Sequence, residues 1–134
     1  MIYSYQKHID YLRTVEIVLP IGGNDPRNVG TELATIDGTT YVFVPDGAVL
    51  PVQPAEIAVE PVTLTDALKT AIKAASCHIW LINDQIKAKI AEKYSLEDEI
   101  KLLRIAPSDE STTHNDYVEE CRAWGREHKA ALGL

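Results

Sequence analysis

Short alternations of apolar and polar residues occupy the first half of the chain and predict β-strands. The clearest are TELATI (31–36) and TYVFVP (40–45), and Asp37-Gly38 stands between them. Asp-Gly between β-favouring runs is the strongest short-range hairpin signal, because the tight turn needs positive φ at its central positions. We therefore predict a β-hairpin here, and neither a phosphate-binding nor a metal-binding loop.

The segments around this hairpin are less regular. RTVEIVLP (13–20) predicts a further strand, and the loop 21–30 after it is rich in turn-forming residues. One interpretation of that loop is a backbone anion site with Arg27 as its charge partner. Because the loop leads into a strand and not a helix, we expect a surface connection instead. Residues 48–62 are rich in proline, which removes ladder donors, and are predicted to form a linker or an edge segment.

From residue 64 onward the apolar residues recur at spacings of three and four, which is the period of an α-helix. The pattern predicts one long helix over about 64–94. At 1.5 Å per residue this helix would be roughly 45 Å long. A helix of that length usually packs against a partner helix along much of its extent.

Two shorter helices are predicted after the long one. Ser95 and Asp98 have the spacing of a capping box, with aspartate in place of the usual Glu or Gln, and predict a helix over about 96–105. After a polar loop, a renewed apolar stripe predicts the last helix over about 115–131. Gly133 lies where that helix should stop.

These elements predict an α+β fold with two parts. A small β-hairpin or meander unit should occupy residues 1–62, with a proline-rich linker at about 48–62 as its end. A helical hairpin or three-helix unit containing the one long helix should occupy residues 63–134.

The long predicted helix carries an apolar stripe with the four–three alternation of a coiled-coil seam. The seam spans fewer than three heptads, because Lys89 interrupts it. A last helix of roughly 17 residues is too short to cover a 45 Å partner. We therefore hypothesise that the uncovered part mediates self-association or partner binding. The predicted interaction residues are Leu68, Ile72, Ala75, Ile79, Trp80, Ile82 and Ile86.

Charge and composition exclude several classes of partner. The 134-residue chain has a formal charge of -7 and a pI of about 5.0, with no offsetting basic cluster, so no nucleic-acid partner is expected. No run approaches the roughly 18 apolar residues of a membrane span, so no membrane association is expected either. The first residues lack a signal peptide's apolar core, and two cysteines do not make a disulfide framework. These observations predict a reduced, cytosolic protein.

No constellation of side chains predicts a catalytic, cofactor or metal site. The histidines and cysteines lack the tight spacings of zinc ligands. An alternative hypothesis is a small enzyme in which Cys121 pairs with His78, His114 or His128. A thiol on a buried helical stripe is usually inert, however, so a non-enzymatic role is favoured. A third hypothesis is an acidic regulatory binding module, which the spread of the 20 acidic residues along the chain disfavours.

The C-terminal part of the sequence resembles small accessory proteins encoded beside tail-fibre genes of bacteriophages and prophages. In those proteins a helix ends in a Tyr-Ser-like pair, a short helix and a polar loop follow, and the last helix carries an aromatic-Gly pair. The segment ELATIDGTTYVFVPDGAVLPVQPAEI also resembles the β-rich part of tail-fibre or tail-assembly proteins. The residues that carry the helical resemblance are Tyr94, Ser95, Leu102, Leu103, Tyr117, Cys121, Trp124 and Gly125.

The resemblance implies a tail structural protein or a tail-fibre assembly protein, of the chaperone kind, and not an enzyme. It implies no catalytic residue and no cofactor. The implied partners are a tail-fibre protein, further copies of the chain, or both. The implied location is the cytoplasm of the bacterial host during assembly, with the virion as an alternative.

Overall fold

The structure, a computed structural model, describes residues 1–21 and 29–134. Residues 22–28, which include Arg27 and the anion site considered with it, lie outside the described residues. The described residues form an antiparallel sheet followed by helices, which confirms the α+β class. The strands are β1 (Ile2–Gln6), β2 (Thr31–Ile36), β3 (Thr39–Phe43) and β4 (Glu60–Val62), and the helices are α1 (Asp66–Ala75), α2 (Cys77–Lys93), α3 (Leu96–Ile105) and α4 (Asp109–Ala130).

The chain divides into two compact units. Unit 1 comprises Met1–His78 together with Leu132–Leu134, and unit 2 comprises Ile79–Ala131. Helix α1 therefore belongs with the sheet. This division differs from the boundary predicted between residues 62 and 63.

The sheet of unit 1 has the strand order β2-β3-β1-β4, with every neighbouring pair antiparallel. The predicted hairpin is the β2–β3 pair. Asp37 and Gly38 have φ values of 50° and 82° in its turn, which is the backbone that Asp-Gly favours. A bulge between Glu32 and Ala34 shifts the register of β2. The shift adds local twist near the open edge of the sheet.

Both faces of the sheet are covered by apolar residues. On one face, Tyr5 and Val42 form a buried cluster with Ile17 and Ile57 from the connecting segments. Phe43 alternates with Val42 and so points to the other face. There a Cβ on Gly133 would lie 2.8 Å from the Phe43 ring, which shows that the C-terminal residues pack closely on the sheet.

The strand predicted over residues 13–20 is wrong. Only Thr14 forms a bridge, with His8, and the segment then runs beside the sheet without joining a ladder. The side chain of Gln53 takes the place of a neighbouring strand. Its Oε1 accepts from the Val18 N–H at 2.7 Å and its Nε2 donates to the Val18 carbonyl at 2.8 Å. The Gln53 side chain thus satisfies the backbone N–H and C=O of Val18, in a segment for which the sequence pattern predicts a strand.

The proline-rich segment 48–62 is part of unit 1 and not a free linker. Ile57 is buried in the core cluster, and Leu50 and Val59 pack against it. Its last residues form β4, which pairs with β1 at the edge of the sheet. Pro61 lies on this edge strand, where a missing N–H costs little.

The long helix predicted over 64–94 is divided at Ser76 into α1 and α2. Ser76 is buried and has extended backbone, with φ -77° and ψ 124°. Ile72 is fully buried in α1, which packs on β2, and His78 Nε2 lies 3.1 Å from the Glu32 carbonyl of the same strand. Residues six apart on a continuous helix point about 120° apart. The break places His78 against β2, the strand on which α1 packs.

The last helix begins at Asp109, six residues before the predicted start at 115. Ser108 and Ser111 form a reciprocal cap: the Ser108 hydroxyl accepts from the Ser111 N–H, and the Ser111 hydroxyl accepts from the Ser108 N–H. The sequence pattern missed this first turn because its buried positions are Ser111 and His114, which carry no apolar signal.

Candidate protein-interaction surfaces

The interior of unit 2 determines which helix faces remain free. Helix α4 contributes a buried stripe of unusually small or polar side chains at helical spacing, and α2 and α3 contribute branched aliphatic ones. The buried positions of α4 are Ser111, His114, Cys121 and Gly125, and those of α2 and α3 in this unit are Ile79, Ile82 and Leu102. A Cβ on Gly125 would collide with Ile86 Cδ1, so the absent side chain sets the close approach of α2 and α4.

Polar contacts fix α3 and α2 to α4. His114 Nε2 lies 3.1 Å from the Glu99 carboxylate of α3, and the rings of His114 and Tyr94 form a T-shaped pair with 4.6 Å between ring centres. The Tyr117 hydroxyl donates to the Lys89 carbonyl at 2.7 Å. Partial burial, together with the neighbouring Cys121 thiol, raises the pKa of Tyr117. Tyr117 therefore stays protonated and remains a donor to α2 across the physiological range.

The residues predicted as an interaction seam are largely buried. Ile72, Ile79 and Ile82 are buried, and Leu68 and Ile86 are half-buried. Ala75 is exposed but lies beside the break at Ser76, so no continuous stripe of exposed seam residues exists in the described part of the chain. Trp80 is the exception among the large side chains, with 68% of its surface exposed.

Trp80 and its neighbour Leu81 are both exposed at the start of α2, and the two residues are called here the Trp80 patch. Leu81 is about half exposed. Trp124, the other tryptophan, is half-buried instead. It stacks on His128 with 3.9 Å between ring centres, and Lys89 Nζ lies 4.5 Å from its ring centre. The chain therefore exposes one tryptophan on unit 2 and uses the other for packing.

A second exposed apolar site lies on α3. Ser95 and Asp98 cap this helix reciprocally, as predicted, and the backbone hydrogen bond from Ser95 lowers the pKa of Asp98. The helix buries Leu102 and presents Leu96, Ile100 and Leu103 on the opposite side, called here the α3 face. Leu96 and Leu103 are 72% and 76% exposed. Their spacing of four and three residues places all three on one side of the helix.

Sequence reasoning missed the α3 face although its spacing is visible in the sequence. Leu102 and Leu103 are adjacent, and either could serve the core of an isolated helix. Only the packed structure shows that Leu102 is the buried member of the pair.

The hypothesis of a cysteine enzyme requires a hydrogen bond between Cys121 and a histidine, and the described residues do not contain one. Cys121 is buried beside Tyr117, and within residues 1–21 and 29–134 it makes no hydrogen bond to His78, His114 or His128. His78 contacts the backbone carbonyl of Glu32, and His128 contacts that of Trp124. His114 contacts the Glu99 carboxylate. Cys77 is exposed at the start of α2.

Thiol labelling of the native protein should distinguish the two cysteines. We expect Cys77 to react at the rate of a free thiol and Cys121 to react many times more slowly, because burial denies reagent access to its sulfur. Mass spectrometry of timed samples would measure both rates, with the urea-unfolded chain as the control in which the rates converge. Rapid native labelling of Cys121 would contradict its burial and reopen the nucleophile hypothesis.

A cleft of about 450 Å³ lies between the end of α2, α3 and the start of α4. Lys93 and Lys101 face Asp98, Asp109 and Glu110 across it. Cations and carboxylates of similar number offset one another there, and Asp98 is already used in the cap of α3. The charged groups that line the cleft therefore do not favour one kind of ligand over another.

No group of three or more histidine, cysteine, aspartate or glutamate side chains in the described residues is placed to hold a metal ion. Among those residues, no helix combines the length and the apolar character needed to cross a bilayer. No protein-family model, curated protein or solved structure matches the chain.

Proposed function

We propose that this chain is a non-enzymatic accessory protein of a bacteriophage or prophage tail, which binds a tail-fibre protein during assembly through the Trp80 patch. The observation that carries the contact role is the exposure of Trp80 on a helix whose other large apolar residues are mostly covered. The tail-fibre partner is supported by the sequence resemblance of the helical part and of the hairpin segment.

The chemistry of the Trp80 patch suits a protein partner. Tryptophan is among the residues most enriched at the energetic centre of protein interfaces, because it buries a large area at a small loss of conformational entropy. Leu81 extends the apolar area, and Asp84 lies one turn further along the helix, on the side of Trp80. An apolar centre with a polar margin is the usual arrangement of an interface.

Replacing Trp80 with alanine should weaken capture of the tail-fibre protein encoded by the neighbouring gene. The expected loss is about 30-fold in affinity, since truncation of an interface tryptophan typically costs roughly 2 kcal/mol or more. Co-expression followed by affinity purification and biolayer interferometry would measure it. Tyr11→Ala is the matched control, because Tyr11 is an exposed aromatic residue of unit 1 and its loss should leave capture unchanged.

Two results would overturn the proposal. The first is equal binding by the wild-type chain, Trp80→Ala and Tyr11→Ala, which would move the contact away from α2. The second is a gene with no tail gene beside it, together with no binding to any fibre protein tested, which would remove the tail-assembly role itself.

A further inference from the structure

We propose that the α3 face pairs with the α3 face of a second copy of this chain, with the two helices antiparallel and a two-fold axis passing near Ile100. The helix that carries this face is held in place by packing and by a polar contact on its other side. Leu102 anchors the buried side of α3, and Glu99 holds His114 of α4 at 3.1 Å. Leu96, Ile100 and Leu103 are therefore presented by a positioned helix and not by a frayed segment.

The charges beside the face favour a second copy in this orientation. Glu97 and Arg104 are seven residues apart and so lie on the same flank of the helix, about 20° apart in direction. In an antiparallel pair the same flanks of the two helices face one another. Glu97 of each copy then lies opposite Arg104 of the other, and the apolar Leu96 lies opposite Leu103. In a parallel two-fold pair opposite flanks face one another instead, so Glu97 and Arg104, which share a flank, would not meet.

Both charged groups are free to make these contacts. No described residue forms a salt bridge with Glu97 or Arg104, and both side chains are exposed. The helix as a whole is divided in the same sense, with Glu97, Asp98 and Glu99 in its first turn and Arg104 in its last. The charges of two such helices are therefore complementary when the helices lie antiparallel.

The shape of the surface also suits this register. A groove of about 240 Å³ adjoins the N-terminal end of the face, between Leu96 and Glu99 of α3 and Ile90 and Ala91 of α2. In the antiparallel register, Leu103 of the second copy meets this groove. Because the pairing is two-fold, each copy fills the groove of the other.

The pairing should be weak when α3 acts alone. A helix of ten residues is about 15 Å long, and two such helices bury less than the roughly 1,000 Å² of a stable interface. We therefore expect a monomer–dimer equilibrium in the micromolar-to-millimolar range of protein concentration. This pairing goes beyond the proposed binding of a fibre protein and does not depend on it.

Sedimentation equilibrium of the full chain over this concentration range tests the pairing. The wild-type chain should form dimers, and Leu103→Asp should raise the dissociation constant at least tenfold, because it replaces an apolar contact with Leu96 and Ile90 of the groove by a carboxylate. Leu12→Asp is the matched control: it adds the same charge to a leucine of unit 1 that is 78% exposed, and it should leave the dimer unchanged. A wild-type chain that is monomeric up to about 1 mM would overturn the proposal.

Charge exchange tests the orientation. Glu97→Arg alone and Arg104→Glu alone should each weaken the homodimer by about fivefold or more, because two attractive pairs become repulsive in each case. The double variant should recover the wild-type affinity, and an equimolar mixture of the two single variants should form a heterodimer. Single variants that dimerise as the wild-type chain does would overturn the antiparallel register.

The two proposals fail separately. If the charge exchange and Leu103→Asp have no effect while Trp80→Ala abolishes fibre capture, the pairing is wrong and the fibre-binding role stands. If the dimer behaves as expected while no fibre protein binds, the pairing stands and the tail-assembly role is wrong.

Discussion

Leu102→Ala should lower the free energy of unfolding of unit 2 by about 2–5 kcal/mol, whereas Leu103→Ala should change it by less than about 0.5 kcal/mol. The two leucines are neighbours on α3, so helix propensity contributes equally to both substitutions. Only Leu102 is buried, with 8% of its surface exposed, and its truncation removes apolar contacts and leaves a cavity.

Urea unfolding followed by tryptophan fluorescence would measure this difference, because both Trp80 and Trp124 lie in unit 2. The protein concentration should be kept low enough that the proposed dimer dissociates, since dimerisation would add apparent stability to chains with an intact α3 face. Equal destabilisation by the two substitutions would contradict the orientation of α3. The α3 face would then be part of the interior, and the pairing inferred from it would lose its basis.

The parts of the fold that follow from local sequence are those in which few residues determine the conformation. Asp37-Gly38 specifies its turn because both residues tolerate positive φ, and Ser95 with Asp98 specifies the start of α3 through two local hydrogen bonds. These predictions required no knowledge of distant contacts. The structure confirms them at the residues where they were made.

The elements that sequence pattern misplaced depend on distant partners. Ser76 interrupts a favourable helical run at a point where α1 packs on β2 and His78 lies against the Glu32 carbonyl of the same strand, and no local signal marks that residue. In the segment 13–20, the backbone N–H and C=O of Val18 are satisfied by the side chain of Gln53, far along the chain, and not by a strand. In both cases the contact joins residues that are far apart in the sequence, and hydrophobic periodicity within one segment carries no information about such a contact.

The candidate surfaces show the same limit. Periodicity identified Ile72, Ile79 and Ile82 as one side of a helix, but a stripe that binds a partner and a stripe that packs internally have the same spacing. Solvent exposure distinguishes the two kinds of stripe, and among the large side chains of the predicted seam it leaves Trp80 exposed. The α3 face, which has the same spacing over only two turns, is the stripe that remains free.

Ile72→Ala provides the second large effect, a loss of about 2–5 kcal/mol in the stability of unit 1. Ile72 has no exposed surface, and it lies on α1 where that helix packs on β2. Tryptophan fluorescence does not report on unit 1, because both tryptophans lie in unit 2. Hydrogen exchange measured by mass spectrometry on peptides of β2 and β3 should show protection reduced by roughly 30-fold or more, since each 1.4 kcal/mol is a factor of ten.

Ile21→Ala is the matched control for this substitution, because it makes the same chemical change at a residue of unit 1 that is 92% exposed. Its exchange pattern should match the wild-type chain within about 0.5 kcal/mol. The comparison also decides between the two roles considered for Ile72, which are binding a partner and packing within unit 1. If Ile72 binds a partner, its truncation should alter association and leave stability unchanged. If Ile72 packs within unit 1, its truncation should lower stability and leave association unchanged. If Ile72→Ala abolished self-association but left hydrogen-exchange protection intact, the result would contradict the burial of Ile72 and support the seam hypothesis instead.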